Sequence, residues 1–182
     1  MARPHRALVR LASGRGLPVV EDHDEVARSA IEHRMGGMLW TRVQRGEVDG
    51  PSEWRHRLAG ADLVTRAHHE RLWATLVRVA AELRERGLDV ASFKGVTAEH
   101  RWYGRLGERP CSDVDLLLHP DQLRRIDEVV SVVQPDHPLR GRVAPLVTTG
   151  RLQSVELTTS DGVSIDLHAD VFKLWLPSRR EI

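Results

Sequence analysis

The sequence predicts a mixed α/β fold of the α+β kind, with a small mixed sheet in residues 88–182 and a helical segment over residues 1–87. Three observations carry this. Before Gly87, apolar residues recur at helical spacing; after it, the short apolar runs 89–93 and 114–118 alternate with helix-length segments. Two alternating runs, 152–159 and 163–167, then flank Ser160-Asp161-Gly162, where glycine supplies the positive φ of a tight hairpin.

In chain order, residues 1–20 are a basic lead-in broken by Gly14, Gly16 and Pro18. Glu21, Asp22, Asp24 and Glu25 suit the positive end of a helix dipole. Val26, Ala30, Met35, Met38, Leu39 and Val43 continue that helix as one stripe, with an interruption expected at Gly36-Gly37. Gly46, Gly50 and Pro51 mark a loop. A longer helix is expected over 52–86, with a break near Gly60, an apolar face of Leu63, Leu72, Leu76, Val79, Ala80 and Leu83, and Gly87 as its C-terminal cap. Strand 89–93, helix 96–103, loop 105–110 and strand 114–118 follow. Pro120 opens a helix whose inward face is Ile126, Val129, Val130 and Val133, and 134–142 is loop.

The 182 residues suffice for one domain, or one domain with a helical extension. Their 27 basic and 26 acidic side chains leave a net charge of +1, which argues against a long nucleic acid as partner. The single cysteine, Cys111, excludes an internal disulfide and suits a reducing, cytoplasmic setting. No apolar run reaches the length of a membrane span, and the N-terminus is too broken for a signal peptide.

The chemistry concentrates in residues 93–118, FKGVTAEHRWYGRLGERPCSDVDLLL. Asp113 and Asp115 open an apolar strand two residues apart, so alternation puts them on one face and Val114 and Leu116 on the other. Like charges about 7 Å apart repel, and a divalent cation is the usual remedy; the alternative is an edge strand that begins in water. On the second hairpin strand Ser164, Asp166 and His168 share a face opposite Val163, Ile165 and Leu167, which adds a third carboxylate. Three carboxylates suit two divalent ions that clamp an in-line phosphoryl displacement, and an all-oxygen set suits Mg²⁺ or Mn²⁺. Lys94-Gly95, at a strand-to-helix turn, offers backbone N–H groups to phosphate, with Lys94 or Arg109 to neutralise charge.

FKG, RPCSDVDLLL and VSIDLHADV together resemble the nucleotidyltransferase superfamily with the polymerase-β-like fold, and within it an uncharacterised bacterial branch with an L-K-G, R-x-x-D-h-D-h-L and h-D-L-H pattern. The resemblance spans roughly residues 26–171. It implies transfer of a nucleoside monophosphate from an NTP to a hydroxyl or phosphate of a small molecule or peptide, with release of pyrophosphate. It makes Asp113, Asp115 and Asp166 the metal ligands and catalytic carboxylates, with Asp166 helping to activate the acceptor. Gly95 becomes the phosphate-turn glycine, with Lys94 and Arg109 beside it. Val96 stands where the common pattern has serine, and the Gly95-to-Asp113 spacing is longer than usual. The resemblance also implies a C-terminal helical region beyond the sheet, so part of the pocket is expected either to be missing or to be supplied by the N-terminal helices, a second copy or another partner. A catalytically weak nucleotide- or partner-binding module and a Mg²⁺-dependent phosphohydrolase are the alternatives.

The remaining candidates read as structural. His68 and His69 fall on the exposed side of a charged helix, and His23-Asp24 lacks partner histidines. His168 reads as a packed strand residue, Ser112 as a local hydrogen-bonding group, and Cys111 as incidental. Trp40, Trp54, Trp73, Trp102 and Trp175 read as core anchors.

Overall fold

The structure, a computed structural model, describes residues 8–10, 13, 23–48 and 52–170. The chain forms two compact units that interleave in sequence: residues 1–71 with 95–112, and 72–94 with 113–182. Among the described residues no helix is long and apolar enough to cross a membrane.

The first unit contains α1 (His23–Glu32), α2 (Gly36–Gln44), the first part of α3 (Ser52–Glu85), and α4 (Gly95–Trp102) with the loop that follows it. Its core joins Leu8, Val26, Ala27, Ala30, Leu39, Val43, Val48, Trp54 and Leu58. The α1–α2 break falls at Arg34-Met35, not at Gly36-Gly37, which open α2. Arg34 adopts φ +57, and two bonds close the turn, Met35 N–H to Ala30 O at 2.7 Å and Arg34 N–H to Ile31 O at 2.9 Å. That is the helix-ending pattern usually given to glycine. Gly37 is instead needed for a close approach: a Cβ there would stand 2.0 Å from the carbonyl oxygen of Gly107.

Helix α3 runs through Gly60 without the expected break. Its buried stripe keeps the expected Leu72, Leu76, Val79 and Leu83 but differs in the first half of the helix. Leu58, Asp62, His69, Leu72, Leu76, Val79 and Leu83 are buried, whereas Leu63 is 61% exposed. His69 therefore lies on the inward face, because it is spaced three and seven residues from Leu72 and Leu76. Among the tryptophans, Trp54 is a buried anchor but Trp102 is 74% exposed at the end of a short helix. Trp175 lies outside the described residues, as does the side chain of His23.

The second unit is built on the remainder of α3. Gly87, φ +67, ends that helix, with Leu88 N–H on Leu83 O and Gly87 N–H on Arg84 O, both at 2.9 Å. The chain then enters a four-stranded sheet of order β1 (Val90–Phe93), β2 (Val114–Leu118), β4 (Ser164–His168), β3 (Ser154–Thr158). β1 is antiparallel to β2, β2 is parallel to β4, and β4 is antiparallel to β3, so the fold is mixed α/β as the sequence predicts. Val114, Leu116, Leu118, Val155, Leu157, Ile165 and Leu167 are buried, together with Ile126, Val129, Val130 and Val133 of α5 (Ile126–Val133). Each such side chain contributes about 1.5–3 kcal/mol by leaving water.

A 3₁₀ turn, Pro120–Arg125, precedes α5, and α6 (Val143–Thr148) lies in a stretch where no element is expected. The N-terminus of α6 is capped from a distance: Asp127 accepts the Val143 and Ala144 N–H groups at 3.1 and 3.0 Å. Gly162, φ +78, closes the β3–β4 hairpin.

Candidate active site

The central pair of strands places the acidic side chains. β2 and β4 align Asp115 opposite Asp166 and Leu117 opposite His168, while β1 sets Phe93 opposite Asp115. Neighbouring strands lie about 4.8 Å apart, whereas a step of two residues along one strand is about 7 Å. Of the two other acids, Asp166 across the sheet is therefore nearer to Asp115 in backbone spacing than Asp113 along its own strand.

Asp115 is buried, 5% exposed, and two side-chain nitrogens approach its Oδ1. Lys94 Nζ donates at 3.0 Å, and His168 Nε2 lies at 3.1 Å. The same His168 Nε2 is 2.9 Å from Asp166 Oδ2. Asp166 keeps 29% of its side chain exposed, so this edge of the group reaches solvent while His168 is enclosed. Phe93 meets the His168 ring edge-on, 5.1 Å between centroids, and sets its orientation. Lys94 Nζ also sits 4.8 Å from the Phe93 ring centre. Lys94 holds φ +54, a left-handed conformation that costs a residue with a Cβ about 1–2 kcal/mol.

Asp115 and Asp166 meet, and His168 joins them: one ligand atom from each lies within 4.8 Å of the others. Asp113 does not join this group; it stands just before β2, half-buried. Gly95 and Arg109 belong to the other unit, where they meet each other. The Arg109 guanidinium donates to Gly95 O at 2.8 Å, and its backbone N–H donates to Glu99 Oε1 at 3.1 Å. Gly95 opens α4, and the left-handed residue of this turn is Lys94, not the glycine. Reasoning from the sequence passed over His168, although it shares a strand face with Asp166. The missing signal was the register that carries it to Asp115.

A family model described as uncharacterised nucleotidyltransferase matches residues 20–181. The chain belongs to that family. No curated protein and no solved structure matches the chain.

For a nucleotidyltransferase the question is whether these donors suit a divalent cation. Two carboxylate oxygens and one imidazole nitrogen converge, and Nε2 stands 2.9 and 3.1 Å from the two oxygens. Ligands about 2.1 Å from an octahedral ion are about 3.0 Å apart along an edge, so the group fits such an ion with little movement. A proton on Nε2 holds the two carboxylates together otherwise. The imidazole nitrogen extends the choice from Mg²⁺ toward Mn²⁺.

Proposed function

We propose that this nucleotidyltransferase moves a nucleoside monophosphate from an NTP to a hydroxyl or phosphate oxygen on a small molecule or peptide, with Mg²⁺ or Mn²⁺ and release of pyrophosphate. The observation that carries the proposal is the convergence of Asp115, Asp166 and His168 on two adjacent parallel strands. In the reaction the acceptor oxygen forms a bond to the α-phosphorus, and the bond from that phosphorus to the bridging oxygen breaks. Pyrophosphate departs with the bonding pair, and the acceptor proton passes to Asp166 and then to solvent.

Asp115 and Asp166 would hold the metal, with His168 Nε2 as a further donor, while Asp113, which stands outside this group just before β2, would reach the ion only by movement of its side chain. When bound, a divalent ion offsets charge on the attacking and leaving oxygens. With Asp115 engaged as a ligand, the half-exposed Lys94 turns its flexible ammonium to the triphosphate.

Pyrophosphate release from each of the four NTPs, with Mg²⁺, Mn²⁺ or EDTA and a panel of hydroxyl and phosphate acceptors, tests this. Asp115→Asn and Asp166→Asn are each expected to lose about 10²–10³-fold in rate, the scale of one preorganised electrostatic group. Full activity in either variant, or no NTP binding by the wild type in calorimetry, overturns the proposal. A second reading, a nucleotide-binding module of weak catalysis, rests on Val96, a fully buried side chain without the hydroxyl of the common pattern. It predicts metal-dependent NTP binding without pyrophosphate release.

A further inference from the structure

The first unit carries a second cluster of ligating side chains, unrelated to the carboxylates of the sheet. His69 on α3, Glu99 on α4 and Cys111 on the loop after α4 are all buried, at 1%, 1% and 9% exposure. One ligand atom from each lies within 4.8 Å of the other two. We propose that His69, Glu99 and Cys111 form a Zn²⁺ site.

Three features suit a metal ion at this pair. His69 Nδ1 and Glu99 Oε2 approach to 2.6 Å, yet neither atom makes a hydrogen bond. Two buried polar atoms so placed forfeit about 1–3 kcal/mol each unless a proton or a cation is shared between them. Glu99 is also held as second-sphere groups hold a ligand. Its Oε1 accepts the Gly107 and Arg109 N–H groups at 2.8 and 3.1 Å, which aims Oε2 at His69. Finally, charge balances. Neutral imidazole, carboxylate and thiolate around Zn²⁺ sum to zero, the form that burial disfavours least.

The donor set selects the metal. One nitrogen, one oxygen and one sulfur suit zinc, whereas Mg²⁺ takes oxygen ligands. Ligands about 2.0–2.1 Å from a tetrahedral ion are roughly 3.3 Å apart, so the His69–Glu99 pair opens by less than 1 Å on binding. The Cys111 thiol gives its proton to solvent as the sulfur–zinc bond forms. His69 and Cys111 also line a cavity of about 720 Å³ with His68, Arg34 and Ser112, so a fourth position faces space for water or a ligand atom. Loaded in this way, the ion ties the loop that carries Arg109 to α3 and α4.

The proposal stands apart from nucleotidyl transfer, and its test needs no NTP. Chain purified without chelator, incubated with Zn²⁺ and passed through gel filtration is analysed for zinc by mass spectrometry. One equivalent is expected that survives in Asp115→Asn/Asp166→Asn and disappears in Cys111→Ser and Glu99→Gln, each checked for folding by circular dichroism. Cobalt in place of zinc is expected to give a thiolate-to-cobalt charge-transfer band in the near ultraviolet. That band reads the wild type directly, and so decides the question even where a variant fails to fold. No retained zinc in the wild type, unchanged zinc in folded Cys111→Ser, or cobalt bound without the band overturns the proposal.

Discussion

Gly37 and Gly60 make opposite predictions for the same substitution. A Cβ on Gly37 meets the Gly107 oxygen at 2.0 Å and its carbonyl carbon at 2.9 Å, and both are backbone atoms. The two segments must part by roughly 1.4 Å to reach ordinary contact at about 3.4 Å. Gly107 is held by its N–H bond to Glu99 Oε1 at 2.8 Å, and a displacement of that size breaks it. Losing a hydrogen bond to a charged group costs about 1.5–3 kcal/mol, and alanine returns at most about 1 kcal/mol in helix propensity. Gly37→Ala should therefore destabilise by about 0.5–3 kcal/mol. Gly60 lies in mid-helix with nothing within 4 Å of a built Cβ, so Gly60→Ala should stabilise by about 0.5–1 kcal/mol. Urea unfolding followed by the fluorescence of Trp54, fully buried in the same unit, reads both. A Gly37→Ala midpoint at or above that of the wild type refutes the close-approach argument.

Arg105 donates to the buried Asp62 carboxylate and to Thr41 Oγ1 at 2.9 Å. Because Arg66 still reaches Asp62 at 3.1 Å, Arg105→Ala should cost about 2–4 kcal/mol, somewhat less than a wholly broken buried pair. Adding Asp62→Asn should recover part of that in denaturant unfolding; no recovery contradicts the assignment. At position 94, both Gly and Ala lose the ion pair with Asp115, but glycine relieves φ +54. Lys94→Gly should then be more stable than Lys94→Ala by about 1 kcal/mol, and equal midpoints would remove the claim of strain. The pKa of His68 is lowered from 6.5, first by burial and then by His69, Arg71 and Arg34 nearby. The unfolded chain then binds this proton more readily, so stability falls as pH drops below about 6.5 and is unaffected by this group above it. His68→Gln should flatten that part of the profile; an unchanged slope assigns it to other groups.

Much of the second unit was legible because its signals are local. Alternation located β2 and the hairpin, Gly87 and Gly162 marked their turns, and Asp166 and His168 fell on one face. Helix α6 escaped notice because its cap, Asp127, lies 16 residues before Val143. The α1–α2 break was misplaced because Arg34 took the left-handed position while the nearby glycines served packing.

The candidate site shows the same division. Sequence by itself determined which acids, lysine and histidine the chain possesses, which strands carry them and which face each one takes, since period-two alternation is a property of single strands. Only the tertiary structure decided that Asp115 pairs across the sheet with Asp166 and His168 and not along its own strand with Asp113. It likewise turned His69 inward to Glu99 and Cys111. Asp115 and His168 are 53 residues apart, and their meeting depends on the parallel register of β2 and β4. That register is set by burying Val114 and Leu116 beside Ile165 and Leu167, a packing choice between distant segments that no local pattern contains.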